Sequence, residues 1–187
     1  SRKEESGKEF ALANNINLHL TDTKYHIDNF DAVYVGTPNT THFAIAKKYI
    51  ELGKNVMIEK PMTLSFEETK ELYDLADKHN VRIMEAYRHI TQPVVKTLQG
   101  KELKTNYMRI SSKIKNGTYK TASTFLPGGG ALYDLGVYPI SLAIMILGPV
   151  KDAMVSNVTK LDNGVDTELR LKLIHEKGNS EFGVSKV

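Results

Sequence analysis

The sequence of 187 residues predicts a doubly wound parallel α/β sheet followed by an α+β region with a mostly antiparallel, open sheet. Three observations predict this class. Short β-branched runs alternate with amphipathic helices as far as Tyr87, and the connections between them are short. Beyond Tyr87 the order changes to longer runs in which apolar and polar residues alternate. We therefore divide the chain into a partial first domain, 1–87, and a partial second domain, 88–187.

The first domain follows the order strand, helix, strand, helix, strand. Strands are predicted over 32–35, 56–58 and 81–86, and the helices between them over 41–52 and from Ser65 to Asn80. Ser65 precedes Glu68 by three residues, which is the spacing of a capping box. Connections of this length imply parallel strands and right-handed crossovers. A further helix is predicted over residues 3–15.

The second domain is less regular. Strands are predicted over 104–115, 155–158 and 168–175, and an apolar helix over 131–147. Leucines at 169, 171 and 173 alternate with charged residues, which predicts a sheet with one solvated face. Pro139 lacks the N–H that would bond to the Leu135 carbonyl, so we expect a kink there.

The composition of the chain argues against several classes of partner and site. The chain is 41% hydrophobic and 25% charged, as in ordinary globular proteins, and its formal charge of +3 is spread without a basic block. This pattern favours neither nucleic acid nor a membrane surface as a partner. The chain has no cysteine, and its six histidines lack metal-ligand spacing, so no metal site is predicted. No signal peptide or long apolar span is found, so we expect a cytoplasmic location.

The segment Glu59-Lys60-Pro61 places a charged amine after the apolar run 56–58. The carboxyl end of such a strand lies on the edge where open α/β sheets bind ligands. Lys60 is therefore a candidate for chemistry, and a solvated loop lysine is the alternative interpretation.

A second segment combines three glycines, Gly128 to Gly130, with Asp134 and Tyr138. Glycines before a helix allow close backbone approach. The carboxylate and the phenol are four residues apart and share one helix face. Burying a carboxylate or a phenol without a hydrogen-bond partner costs free energy, so the presence of both groups on an apolar helix needs an explanation. The alternative is a core tyrosine beside an aspartate that binds nearby backbone.

A third segment, from Gly36 to His42, is a polar turn between a strand and a helix at the same sheet edge as Lys60. Thr37, Asn39 and His42 there suit an anion or a cofactor at the helix N-terminus. The alternative is that Thr40 or Thr41 simply caps the helix and His42 lies on the surface.

The order of these three segments resembles the glucose-fructose oxidoreductase and inositol dehydrogenase family, from about Asp31 to the end of the chain. Tyrosine at position 138 resembles the branch that holds glucose-fructose oxidoreductase and the dihydrodiol and D-xylose dehydrogenases. The resemblance implies a Rossmann domain and an open-sheet domain that forms homo-oligomers. It also implies hydride transfer between NADP or NAD and a secondary alcohol of a sugar, cyclitol or dihydrodiol.

The resemblance implies a role for each site residue. Lys60 would be the catalytic lysine, Tyr138 the proton donor and acceptor, and Asp134 the residue that orients the site. A phenol titrates far above neutral pH, and an adjacent ammonium favours its ionised form. Besides Lys60, the residues implied to line the cofactor are Thr37, Asn39, His42 and Glu59.

The chain also departs from the family pattern, because no G-x-G-x-x-G turn is present. We expect a chain truncated at both ends, which by itself binds dinucleotide poorly, and a short loop between Ser111 and Pro127. Arg2 would fall at the end of the missing second strand, where arginine can pair with the 2′-phosphate of NADP. A non-catalytic relative that senses a nucleotide or a sugar is the alternative function.

Overall fold

Two sheets, one parallel and one mixed, organise the chain. The structure is a computed structural model, and it describes residues 3–17, 19–20, 27–98, 107–113 and 127–186. Within these ranges, no helix is long and apolar enough to cross a membrane.

The first sheet has three parallel strands in the order β1-β2-β3: β1 is Ala32–Val35, β2 is Asn55–Ile58 and β3 is Ile83–Glu85. Helix α2, His42–Glu51, joins the first two strands, and helix α3, Phe66–His79, joins the last two. The predicted parallel sheet is confirmed.

Helix α1, Glu4–Ala13, precedes the sheet. Capping chemistry sets the ends of α3. The Ser65 hydroxyl accepts a hydrogen bond from the Glu68 N–H at 3.1 Å, as the capping-box spacing predicts. At the other end Asn80 is left-handed, with φ 52°, and the Val81 N–H donates to the Ala76 carbonyl at 3.0 Å. This cap uses Val81, so β3 begins two residues later than predicted.

The core of the first sheet lies against α2 and α3. Its side chains are apolar and come from the strands, both helices and the turn after β2. The buried members are Val35, Ala46, Tyr49, Ile50, Val56, Ile58, Met62, Leu72 and Ala76.

The second sheet has four strands in the order β4-β7-β6-β5, with β4 parallel to β7 and the other pairs antiparallel. The strands are β4 Tyr107–Lys113, β5 Val150–Lys160, β6 Asp166–His175 and β7 Asn179–Ser185. The predicted mostly antiparallel sheet is confirmed. Strand β5 is longer than the predicted 155–158 because it pairs with β6 along most of its length.

The helix predicted over 131–147 begins with a π-helical turn, Leu132–Gly136, and continues as the α-helix α5, Val137–Leu147. The kink predicted at Pro139 stays a prediction. Pro139 is the third residue of α5 and follows the π-helical turn directly, so it lies within a continuous helical segment. A short helix, α4 Pro93–Lys96, lies in the chain between the two sheets. The part of the chain before α4, with the parallel sheet, is called the first region, and the part after it, with the mixed sheet, is called the second region.

The second core lies between the π-helical turn, α5 and one face of β6 and β7. Leu169, Leu171 and Leu173 are buried, whereas Arg170 and Lys172 between them are exposed. The alternation predicted for this strand is confirmed. The remaining buried members are Ala131, Ala143, Phe182 and Val184.

Candidate active site

The sheet pairing carries Lys60 to the edge of the first sheet. The Glu59 N–H donates to the Val35 carbonyl at 2.9 Å, and a cis peptide bond then joins Lys60 to Pro61. The Glu59 carboxylate accepts hydrogen bonds from the Tyr34 hydroxyl and, at 3.1 Å, from the backbone N–H of Lys60. Glu59 therefore stays at the turn beside Lys60, and its hydrogen bond raises the pKa of Tyr34.

His42 ties the Lys60 turn to the polar turn after β1. Its Nδ1 lies 2.9 Å from the Pro61 carbonyl oxygen and its Nε2 lies 2.8 Å from the Thr37 carbonyl oxygen. The imidazole has 0% exposure, so the alternative that places it on the surface is wrong. A fully buried ring cannot line a cofactor directly in this conformation. Its contacts are those of a residue that positions both turns.

The polar turn after β1 is held internally and by the second region. The Thr41 hydroxyl lies 2.7 Å from the Pro38 carbonyl and 2.7 Å from the exposed Thr37 hydroxyl, so it does not cap α2. The Asn39 amide donates to the Gly128 carbonyl at 2.7 Å. Asn39 thus joins the two regions, while Thr37 presents a hydroxyl at the sheet edge.

The turn formed by Gly128, Gly129 and Gly130, called the glycine turn below, is packed too closely for side chains at its first and third positions. A Cβ at Gly128 would lie 2.3 Å from Leu64, and one at Gly130 would lie 1.9 Å from the Asp166 carboxylate. The other oxygen of that carboxylate accepts from the Leu132 N–H at 2.7 Å, where the helix begins. These contacts fix the segment that carries Asp134 and Tyr138.

Lys60, Asp134 and Tyr138 meet between the two regions. The Lys60 ammonium donates to Asp134 Oδ1 at 2.5 Å and to the Asp134 carbonyl at 2.8 Å. The same Nζ lies 5.1 Å from the centre of the Tyr138 ring. Tyr138 is 36% exposed, so the cluster opens to solvent on the side of the phenol.

Lys60 and Asp134 stabilise each other's charged forms. Burial is the largest single effect on Lys60 and lowers its pKa, but the hydrogen bond and charge of Asp134, with a contribution from Tyr138, raise it above the usual range. Burial likewise raises the pKa of Asp134. The hydrogen bonds and charges of Lys60 and Lys186 outweigh this effect, and the pKa lies below the usual range.

Sequence reasoning missed Lys186. Its Nζ lies 2.9 Å from Asp134 Oδ2 and donates to the Gly129 carbonyl at 2.7 Å. The sequence contains a signal, because the apolar residues Phe182 and Val184 stand at alternate positions and Lys186 takes the next one. A lysine at a core position of a strand is unusual and indicates a buried partner.

Sequence reasoning also missed His89. Its ring lies edge-to-face against the Tyr138 ring, with centres 5.0 Å apart, and its Nε2 lies 2.6 Å from the Ser141 hydroxyl. Burial lowers the pKa of His89, and its Nδ1 is buried with no hydrogen-bond partner among the described residues. His89 follows β3 at the carboxyl edge of the sheet, so the rule that selected Lys60 would have selected it too.

The structure therefore brings Lys60, Asp134 and Tyr138 together and places Thr37 and Glu59 on the adjoining sheet edge. Arg2 and most of the loop predicted to be short lie outside the described residues. Among the residues that are described, no group of histidine and acidic side chains could hold a metal ion.

Comparison with known proteins identifies the first region. Residues 1–87 match the family model described as "Oxidoreductase family, NAD-binding Rossmann fold". The first region of the chain therefore matches this oxidoreductase family. The resemblance predicted from the three segments is confirmed, and the family match covers the three-stranded sheet together with Lys60.

Two curated relatives extend this oxidoreductase family match into the second region. Scyllo-inositol 2-dehydrogenase (NADP(+)) IolU of Bacillus subtilis is 32% identical over 181 residues, which cover 90% of this chain and 55% of that protein. D-xylose 1-dehydrogenase (NADP(+)) 2 of Haloferax volcanii is 28% identical over 159 residues, covering 81% and 48%. The chain thus spans about half the length of the curated relatives it matches.

Solved structures show the same fold. An NAD binding oxidoreductase from Klebsiella pneumoniae has a TM-score of 0.86 at 19% identity, covering 100% of this chain and 56% of that one. An inositol dehydrogenase homolog from Azotobacter vinelandii, solved with NADH and myo-inositol, has a TM-score of 0.85 at 21% identity, covering 100% and 55%. At these identities the structural similarity shows the fold alone.

Proposed function

We propose that the full-length protein is a cytoplasmic oxidoreductase that uses NADP or NAD. It transfers a hydride between the cofactor and a secondary alcohol of a sugar, cyclitol or dihydrodiol. The observation that carries this proposal is the position of the Lys60 ammonium, which contacts the Asp134 carboxylate and the face of the Tyr138 ring. The relatives, which include an inositol dehydrogenase and a xylose dehydrogenase, support the choice of substrate class.

Tyr138 moves the proton in this proposal. In the oxidation direction the substrate O–H bond breaks, its proton passes to the Tyr138 oxygen, and the C=O bond forms as the hydride leaves the same carbon. Reduction reverses these steps. The Lys60 ammonium lies 5.1 Å from the centre of the Tyr138 ring, so a positive charge stands beside the group that gains or loses the proton.

Asp134 positions Lys60. Two oxygens of Asp134, one from the carboxylate and one from the backbone, accept hydrogen bonds from the same ammonium. A long lysine side chain has many rotamers, and these two bonds select the one that lies over Tyr138. Asp134 is therefore a positioning residue rather than a group that touches the reacting atoms.

The side chains at the sheet edge fit a nicotinamide cofactor. Thr37 offers an exposed hydroxyl, Glu59 a half-buried carboxylate and Lys60 an ammonium, all at the carboxyl ends of parallel strands. Hydroxyl and carboxylate groups there suit the hydroxyls of a ribose. The bound cofactor would supply the hydride acceptor or donor. We propose that Asn39 and His42 shape this edge through their backbone contacts.

The test uses the full-length protein with NADP+ and NAD+ and a panel of sugars, cyclitols and dihydrodiols. We expect turnover with at least one alcohol, and the absorbance of the reduced nicotinamide measures it. Tyr138→Phe and Lys60→Met should each lower kcat by about 10²- to 10⁴-fold, the usual contribution of a positioned acid or base. Tyr73→Phe is the matched control, since Tyr73 lies exposed on α3.

Two outcomes would contradict the proposal. If the protein binds the cofactor without turning over any alcohol of the panel, the sensing relative is favoured. If Tyr138→Phe turns over as fast as the wild type, the proton passes elsewhere and the assignment of Tyr138 is wrong.

We also propose that the protein is a homo-oligomer that covers the open second sheet. Strand β5 forms one edge of this sheet and all its residues are exposed, including Met154 at 47% and Val155 at 55%. Sedimentation velocity of the full-length protein should give an oligomer that Val155→Lys weakens. Leu52→Lys, on an exposed apolar site after α2, is the control. A monomeric wild type would contradict this proposal.

A further inference from the structure

We infer that Lys186 is a second positioning residue of the site, one that fixes the Asp134 carboxylate and through it the Lys60 ammonium. This inference rests on the proposed function. The Lys186 side chain is 5% exposed, and its Nζ lies 2.9 Å from Asp134 Oδ2. It enters from the second sheet, and each ammonium takes a different oxygen of the Asp134 carboxylate.

The position of Lys186 in the fold calls for an apolar side chain. Its backbone N–H donates to the Thr167 carbonyl at 2.8 Å, so the pairing of β7 with β6 continues one residue past the end of the strand. Phe182 and Val184 occupy the preceding buried positions on the same face. Burying an ammonium is costly unless it is paired, and a methionine would fill similar space without that cost. Packing alone does not account for a lysine here.

Each of the two lysines binds one oxygen of the Asp134 carboxylate. Oδ1 accepts from Lys60 at 2.5 Å and Oδ2 pairs with Lys186 at 2.9 Å. Rotation of the carboxylate would break a charge-assisted hydrogen bond on at least one side. Because Lys60 depends on Asp134 for its orientation, Lys186 determines how well the Lys60 ammonium is aimed at Tyr138.

A purely structural role is the competing explanation, since the Lys186 ammonium also donates to the Gly129 carbonyl at 2.7 Å. That bond anchors the glycine turn whether or not Asp134 is present. A role through Asp134 disappears when the carboxylate is removed, whereas a role through Gly129 persists. A double-mutant cycle separates the two.

The first experiment measures kcat and KM of the full-length enzyme as wild type, Lys186→Met, Asp134→Asn and the double variant. We expect Lys186→Met to lower kcat by about 10- to 100-fold, the range found for residues that orient metal ligands by hydrogen bonding, with a smaller change in KM. In the Asp134→Asn background the same substitution should lower kcat by less than about threefold. Lys186→Arg, which keeps the charge, should recover part of the loss. Equal losses in both backgrounds would overturn the inference.

The second experiment needs no activity and measures the midpoint of thermal unfolding of the same four proteins. Lys186→Met should lower the midpoint in the wild type, because Asp134 loses one of its two partners. In the Asp134→Asn background it should leave the midpoint unchanged or raise it, because a buried ammonium without its carboxylate is removed. Equal shifts in both backgrounds would also overturn the inference, and Lys186→Gln replaces the methionine variant if that protein does not fold.

Lys70→Met is the charge-matched control for both experiments. Lys70 pairs with Asp74 on the exposed surface of α3, and its removal changes the net charge by the same amount. We expect no effect on kcat and no dependence on the Asp134 background. If the wild type oxidises no alcohol of the panel, the proposed function fails, and the unfolding cycle still decides whether Lys186 holds Asp134.

Discussion

The two regions build their shares of the site in different ways. In the first region, the backbone of Lys60 is placed by its own strand, and the side chains that hold its turn, His42 and Glu59, come from the same region. In the second region, the turn before Asp134 is held by partners from distant parts of the chain, which are Asn39, Asp166 and Lys186. A functional group can therefore be located by the order of strands, whereas its partners depend on tertiary contacts.

Each region contains a buried ionisable residue beside the site that joins two segments. His42 in the first region contacts two backbone carbonyl oxygens, which are fixed dipoles of the turns. Lys186 in the second region pairs with a side-chain carboxylate, which carries a full charge. The first arrangement fixes backbone geometry, and the second fixes a charged side chain of the site.

The largest expected effect concerns the glycine turn of the second region. A Cβ in Gly130→Ala would lie 1.9 Å from Asp166 Oδ1 and 3.0 Å from the Asp166 backbone oxygen, so the turn or β6 must shift. We expect a loss of roughly 3 kcal/mol in the free energy of unfolding by urea, the upper range for overpacking.

Gly53→Ala is the matched control in the first region. Gly53 has φ +71°, and a Cβ added there would meet no atom within 4 Å beyond its chain neighbours. Only backbone strain of about 1 kcal/mol is therefore expected. Equal losses at the two glycines would show that the second-region turn is no more tightly constrained than a helix end.

The next effect is the removal of the charge that both regions share. Asp134→Asn leaves one amide oxygen for Lys60 and turns an N–H₂ toward Lys186, or the reverse. We expect the free energy of unfolding to fall by about 2 kcal/mol at neutral pH, the usual value for a hydrogen bond to a charged group. Urea unfolding at several pH values measures it.

The pH dependence of this loss has a definite sign. The pKa of Asp134 is lowered in the folded protein, so its stabilising effect is present above the pKa of the unfolded chain and is lost as the pH falls through the folded value. The difference between wild type and Asp134→Asn should therefore shrink in acid. A difference that stays constant into strong acid would mean that the carboxylate is not the group responsible.

Much of the first region could be predicted from sequence because its signals are local. The strand and helix order, the cap at Ser65 and the edge position of Lys60 all follow from residues close to one another in the chain. The burial of His42 could not be predicted, because its partner Pro61 lies 19 residues away. The alternation of Phe182, Val184 and Lys186 indicates a buried lysine, but its partners could not be predicted, because Gly129 lies 57 residues away.

The smallest expected effect tests a signal that the sequence does contain. Ser65→Ala removes the hydroxyl that accepts from the Glu68 N–H at 3.1 Å, at the start of α3. We expect a loss of about 1 kcal/mol in urea unfolding, the usual value for an N-cap. Ser65→Asp keeps an acceptor and should retain most of the stability. Because α3 packs on the sheet that carries Lys60 but does not contact the Asp134 carboxylate, kcat of the full-length enzyme should be unchanged in both variants. A fall in kcat with Ser65→Ala would mean that the two regions are more tightly coupled than these contacts indicate.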